Sequence, residues 1–264
     1  MPAATRQNCS SSCERELSLK RHTVGAFLFE LSVYDSSIGA LTGTTDLHTA
    51  DREEVAMPKK QPQLAKLTRP RLHKAVARER LFALLDEARE QKPSICVVGP
   101  PGAGKTTLVA SWLDKRNVKG IWYQVDSGDT DLATFFYYLG EAAKPFTRKH
   151  QRSLPRLTPE YLADIESFSR RFFRELFFRL PSGATLALDN YQEIEPDHPF
   201  HQLITQAIDE IPEESSVLII SRRDPPECYA RLLANDRVTV VNWQSLRLTI
   251  DEVSSIASTR SEYK

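Results

Sequence analysis

The sequence predicts an α/β fold, a parallel sheet with helices on both faces, and three observations carry that expectation. From Leu67 onward, short apolar runs alternate with segments of helical periodicity, the pattern of strands joined by covering helices. One such run, Ser94-Ile95-Cys96-Val97-Val98, leads directly into the glycine-rich stretch Gly99-Pro100-Pro101-Gly102-Ala103-Gly104-Lys105-Thr106. A later run, residues 184–188, ends on an acid, Asp189.

Taken in order, residues 78–90 place Leu81, Leu84, Leu85 and Ala88 at helical spacing, and residues 94–98 read as a buried strand. A helix is expected over 106–115, a strand over 120–125, and a second helix over 131–143 with Phe135, Tyr138 and Leu139 on one side. Thr158-Pro159 reads as the cap of a long helix, since proline at the first helical position forfeits only an N–H that has no partner there. Its apolar stripe is Leu162, Ile165, Phe168, Phe172, Leu176 and Leu180. The intervening Arg170, Arg171, Arg174 and Arg179 read as a solvated helix face, the alternative being a basic binding face. Residues 184–188 and 217–220 are further buried strands, and 238–241 adds an edge. There are no internal repeats.

Composition narrows the function classes. Thirty-five basic residues balance thirty-five acidic ones, so no global field draws the chain to nucleic acid or an anionic membrane. Runs as short as 94–98 and 184–188 are far below a membrane span. Residues 24–31 form an apolar patch that Glu30 interrupts, and no signal peptide is expected. Four scattered cysteines, Cys9, Cys13, Cys96 and Cys228, suit a reducing cytoplasm. Cys9 and Cys13 lack a second Cys or His pair at zinc-finger distance. In 264 residues, one main α/β domain with a small appendage is the expectation. Residues 1–65 form an N-terminal extension without convincing periodicity, although 24–34 has the makings of a short strand, and Met57 would serve as a natural start for the rest of the chain.

The chemistry centres on residues 99–107. The stretch fits G-x-x-x-x-G-K-[ST] with a strand before it and a helix after it, the context a phosphate-binding P-loop requires. Phosphate oxygens need several N–H donors converging on one point; glycines allow that close approach, and the helix N-terminus adds a favourable dipole. Gly99, Pro100, Pro101, Gly102, Ala103, Gly104, Lys105, Thr106 and Thr107 are therefore the expected nucleotide-binding residues. Lys105 would reach the β and γ phosphates, and the Thr106 hydroxyl would ligate Mg2+. Asp189, at the end of what should be a neighbouring strand, is the expected second magnesium-side ligand, the Walker B aspartate. Hydrolysis needs a further group to orient or deprotonate water, and the residue beside Asp189 is Asn190, whose amide accepts no proton at neutral pH. Either Glu193 substitutes or hydrolysis is slow. Arg222, at the end of the 217–221 run, reads as a γ-phosphate sensor; the alternative there is a surface ion pair between Arg223 and Asp224.

Residues 64–253 as an ordered set resemble the nucleotide-binding module of MalT-like, LuxR-type ATP-dependent transcriptional activators, a branch of the STAND class of P-loop NTPases. Leu67-Thr68-Arg69-Pro70 and Val76-Ala77-Arg78-Glu79-Arg80-Leu81 are similar to the family's segment ahead of the P-loop. Trp122-Tyr123-Gln124-Val125-Asp126 with Asp129, Asp131, Phe135 and Tyr138-Leu139 is similar to its second strand and helix. Leu188-Asp189-Asn190-Tyr191 resembles its Walker B segment, and Ser221-Arg222 with Pro225 its sensor strand. Thr249 and Glu252 stand at capping-box spacing where its next helical region would begin.

The resemblance implies an AAA/STAND-like P-loop NTPase fold, with a nucleotide-binding domain over 66–245 and the start of a helical region over 246–264. It also implies that Arg78 approaches the nucleotide base, that the nucleotide is ATP rather than GTP, and that the ATP form oligomerises in the cytoplasm. Two departures matter. Family members usually carry two consecutive acids where this chain has Asp189-Asn190, and the chain ends at Lys264, ahead of the family's helix-turn-helix. The expectation is thus an ATP-binding signalling switch with slow hydrolysis, truncated relative to the family. The rivals are an AAA-like ATPase with Glu193 as base, and a non-catalytic fragment that binds a full-length regulator through its sheet edge. No DNA binding by this chain alone is expected.

Overall fold

The computed structural model describes residues 64–72, 75–148 and 150–261, with side chains to 258. Cys9, Cys13, the strand expected over 24–34, the start at Met57 and the extension up to residue 63 lie outside the described residues.

Five strands form one sheet: β1 (Ser94–Val98), β2 (Gly120–Gln124), β3 (Thr185–Asp189), β4 (Ser216–Ser221) and β5 (Val238–Val241). Their order is β2-β3-β4-β1-β5, and every pairing is parallel. β1, β3 and β4 are buried at every position, which explains why they read as continuous apolar runs rather than alternating ones. The edge position expected for residues 238–241 is where β5 lies.

The helices are α1 (Glu79–Gln91), α2 (Lys105–Lys115), α3 (Leu132–Ala143), α4 (Ile165–Arg179), α5 (Phe200–Asp209), α6 (Ala230–Ala234), α7 (Trp243–Leu246) and α8 (Ile250–Ser261). They cover both faces, because alternate strand side chains point to opposite sides. Ile95, Val97, Trp122, Ala187, Leu218 and Ile220 pack with α1 and α2. Cys96, Ile121, Tyr123, Leu186, Leu188 and Ile219 pack with α3, α4 and α5. The second layer is aromatic: Phe136 meets Phe168 and Phe172 edge-on at 5.0 and 4.8 Å, and Phe135 meets Phe200 at 4.7 Å. Such pairs add about 0.5–1.5 kcal/mol each beyond area burial.

The periodicity of the long helix is corrected in part. Thr158 makes no side-chain cap; a 3-10 segment, Pro159–Asp164, comes first, and α4 begins when Asp164 accepts from the Ser167 N–H. The tighter 3-10 winding shifts the apolar stripe, leaving Leu162 60% exposed while Phe173 and Phe177 join Phe168, Phe172 and Leu176 inside. On α3, Phe136 is buried with Phe135 and Leu139, and Tyr138 only partly. The arginines of α4 divide: Arg170, Arg171 and Arg174 are solvated, whereas the Arg179 side chain is only 5% exposed.

A polar knot fixes the segment before α1 to the end of β2. Asp129 is fully buried; its carboxylate accepts from Tyr123 Oη at 2.6 Å and from Lys66 Nζ at 2.8 Å. The β2–β3 pairing depends on Gly120, whose φ is +150°; a Cβ there would sit 1.9 Å from the Thr185 carbonyl oxygen. Gly120→Ala should therefore lower stability by about 3 kcal/mol or more, measured by urea denaturation; a loss below about 1 kcal/mol would contradict this close approach.

Candidate functional site

The site forms where β1 ends and α2 begins. β1 aims the chain into the loop, and Gly102 and Gly104 turn it with φ of +76° and +78°, a left-handed conformation that costs glycine nothing. Gly104 caps α2, so the first free N–H groups of that helix open toward the loop. Gly99 is buried, Ala103 and Thr106 are partly so, and Pro100, Pro101, Gly102, Gly104 and Thr107 are exposed. Lys105 is buried and folds back along the loop, its Nζ donating to the carbonyls of Gly99 (2.6 Å) and Pro100 (2.9 Å). Burial and the nearby Arg222 cation lower its pKa, opposed by Asp189. Lys105, Asp189 and Arg222 thus share one electrostatic neighbourhood.

Asp189 is not on a strand adjacent to β1, as expected; β4 stands between β1 and β3. The two ends still converge, because parallel strands finish at the same edge of the sheet. The Thr106 hydroxyl donates to Asp189 Oδ1 at 3.1 Å, and the Asn190 N–H donates to the same oxygen at 2.9 Å. Burial pushes the Asp189 carboxyl up, against the stabilising effects of Asn190, Thr106 and Lys105. A buried carboxylate that touches a hydroxyl and lies in the field of an ammonium, with its second oxygen engaged by neither Thr106 nor Asn190, offers hard-oxygen donors that suit a magnesium ion. Among the described residues no group of three or more His, Cys, Asp or Glu side chains could hold a metal.

The strand interposed between β1 and β3 brings Arg222 to the same edge. Its backbone N–H donates to Gln192 Oε1 at 3.0 Å, tying the loop after β3 to the end of β4. Composition gives no sign of Gln192; only the adjacency of β3 and β4 reveals it. Glu193 is exposed and accepts from Gln192 Nε2 at 3.1 Å. Asn190 adopts φ of +58°, a conformation that asparagine tolerates better than most residues. Arg223 pairs with Glu195 at 3.5 Å rather than with Asp224.

Arg78 is buried just ahead of α1 and is engaged with the C-terminal elements through one guanidinium nitrogen, its Nε being buried without a partner. Its Nη2 donates to the carbonyls of Leu246 (2.8 Å) and Arg247 (3.1 Å) and to Glu252 Oε2 (2.9 Å). The Thr249–Glu252 capping box forms, with Glu252 accepting from the Thr249 N–H and Thr249 Oγ1 from the Glu252 N–H. Leu246 and Trp243 of α7 close over the loop, 3.2 and 3.6 Å from where a Gly99 Cβ would project. Arg78 and the phosphate loop therefore both meet α7.

Several comparisons bear on this geometry. No family model matches the chain. Over 203 residues the chain is homologous to the HTH-type transcriptional regulators MalT, at 32% identity to the protein of Vibrio campbellii. Identity is 31% over 201 residues to that of Vibrio parahaemolyticus and 30% over 203 residues to that of Vibrio cholerae. Each alignment takes in 74% of this chain and 22% of the relative, so the chain spans about a fifth of their length. Among solved structures it is similar to the Aeropyrum pernix ORC1 protein in complex with DNA: 18% identity, TM-score 0.41, 70% of this chain and 48% of that one. It is also similar to the FIGL-1 AAA domain: 16% identity, TM-score 0.31, 62% of this chain and 48% of that one. Among the described residues no helix is long and apolar enough to cross a membrane.

One titratable group braces the loop after β3. His201 is buried against Tyr191, and its Nε2 lies 2.8 Å from the Glu195 carbonyl, which requires the Nε2–H tautomer and leaves Nδ1 without a partner. Burial lowers its pKa below the ordinary 6.5, so the unfolded chain takes the proton first. Stability should be full above pH 6.5 and fall as pH drops below it. In urea denaturation at about pH 7.5 and about pH 5.5, His201→Gln should lose less stability than the unsubstituted chain; equal losses would refute the assignment.

Proposed function

With homology to MalT regulators as the premise, we propose that this chain is the ATP- and magnesium-binding switch module of a regulator of that kind, acting in the cytoplasm. The observation that carries the proposal is the Thr106–Asp189 contact of 3.1 Å, made across an intervening strand and beside the Lys105 ammonium. Few demands of folding bring a hydroxyl, a buried carboxylate and a lysine to one sheet edge, whereas a nucleoside triphosphate with its metal needs all three.

Residues 66–245 would form the nucleotide-binding domain, and 246–264 would begin the helical region that responds to it. The loop N–H groups over 99–107 would cradle the phosphates, with Lys105 swinging from the Gly99 and Pro100 carbonyls onto the β and γ oxygens. Thr106 and Asp189 would hold magnesium, which when bound neutralises phosphate charge. Arg222 would report on the γ-phosphate. Its backbone tie to Gln192 supports this, since a shift of the guanidinium toward phosphate would be felt in the loop carrying Asp189 and Asn190.

Arg78 would act near the base, where its grip on Leu246, Arg247 and Glu252 would join nucleotide occupancy to α8. Preference for ATP over GTP, and assembly with further copies or a full-length regulator in the ATP form, rest on the homology. Hydrolysis would be slow, because Asn190 offers no base and Glu193 is exposed and engaged by Gln192. Nucleotide state would then bias a two-state element rather than drive turnover.

Equilibrium dialysis with ATP and Mg2+ tests the binding step: Lys105→Ala should weaken binding at least about tenfold, and wild-type binding that ignores magnesium would overturn the reading. Phosphate release tests the second. Asn190→Asp supplies a carboxylate at a position whose backbone aspartate tolerates, and should raise turnover by about tenfold or more. An unchanged rate would show that the missing acid is not what limits hydrolysis.

A further inference from the structure

We propose that a cleft between α3, α4 and the segment joining them binds a small molecule bearing an oxyanion, phosphate or carboxylate, anchored on Arg179. The site shares no residue with the phosphate loop.

The arginines of α4 provide the contrast. Arg170 bonds Glu166 at 2.8 Å, Arg171 bonds Glu175 at 3.0 Å, and Arg174 reaches both oxygens of Glu210 at 3.0 and 3.1 Å. Those three are exposed and neutralised, so they offer no basic face to nucleic acid. Arg179 is the opposite case. Its side chain is 5% exposed, its Nε is buried without a partner, and its ion pair with Glu175 is 3.6 Å long, beyond hydrogen-bond length. The carboxylate it faces is already engaged by Arg171. A guanidinium stays charged and carries five donors, and a buried donor without an acceptor destabilises the fold. An oxyanion in the adjoining space would give this guanidinium the close acceptor that Glu175, at 3.6 Å, does not.

Space for one is present. A cavity of about 250 Å3 lies along α3 on one side of Arg179, and another of about 410 Å3 lies along α4 on the other; Gln151 and Arg179 line both. Around the pair, Lys144 is matched by Glu141 and Arg174 by Glu210, which leaves Arg152 and Arg156 beside Arg179 against Glu175, so the field favours an anion. Gly140 lines the smaller cavity from mid-helix, where glycine is less favourable than alanine. No packing demands it: a Cβ at Gly140 would meet nothing within 4 Å. What the glycine preserves is room. Tyr137, 47% exposed and with the Arg156 guanidinium 6.0 Å over its ring, gives that cavity a flat wall suited to an organic body attached to the anion.

The test uses the full chain with Mg-ADP present in excess, titrated calorimetrically with inorganic phosphate and with phenyl phosphate at fixed ionic strength. Saturable binding that falls at least tenfold in Arg179→Gln, and equally in Gly140→Leu, is the expected result. Gly140→Leu leaves every charge in place and fills only the cavity, so it stands if Arg179→Gln misfolds by circular dichroism. Tighter binding of phenyl phosphate assigns an organic ester, and equal affinity assigns the free anion. No saturable binding in the unsubstituted chain, or binding unaltered by both substitutions, overturns the proposal. Should Mg-ADP itself fail to bind, the nucleotide reading falls while dependence on Arg179 and Gly140 still decides this one.

Discussion

The constraint on which the rest depends is the sharp reversal between β1 and α2. To aim several N–H groups at one point, the chain must enter the left-handed region twice within three residues, and Gly102 and Gly104 do so. That turn is placed by β1, held between β4 and β5 and buried at every position. A strand so enclosed cannot shift along its axis without breaking two ladders, so the loop inherits the rigidity of the sheet. Asp189 and Arg222 then reach the loop simply by standing at the same edge.

Much of this is legible in the sequence because its signals are local. Buried parallel strands read as apolar runs, the loop motif carries its own flanking context, and the Thr249–Glu252 capping box needs only three residues of spacing. Strand order is not legible. Nothing near Asp189 says that β4 will lie between it and β1, and so Gln192, which meets the end of β4, carries no local signal. The start of α4 departs from expectation because Thr158-Pro159 is a good opening for any helical turn, and the sequence does not distinguish a 3-10 turn from an α-helical one. Arg179 differs from its neighbours on α4 only through the segment folded over it.

Asn190 joins local geometry to chemistry. It follows Asp189 in a left-handed conformation, and its N–H is spent on the aspartate it adjoins. The position thus orients the Asp189 carboxylate through backbone alone, whatever its side chain does. On the proposed reading, an amide at this position would withhold a base without disturbing the arrangement that would grip the phosphates, so binding and turnover would be separable.

The strand order also sets a schedule for the chain as it emerges from the ribosome. Ser94 of β1 pairs with Val217 and Val238, both far downstream, whereas β2 can find β3 earlier. During synthesis the phosphate loop therefore hangs from a strand with two bare edges until the last two strands arrive, and these non-local pairings slow the closing of the sheet. The nucleotide site is the last part of the domain to exist, and the nascent chain presents an apolar strand for most of its synthesis to whatever protects exposed edges in the cell.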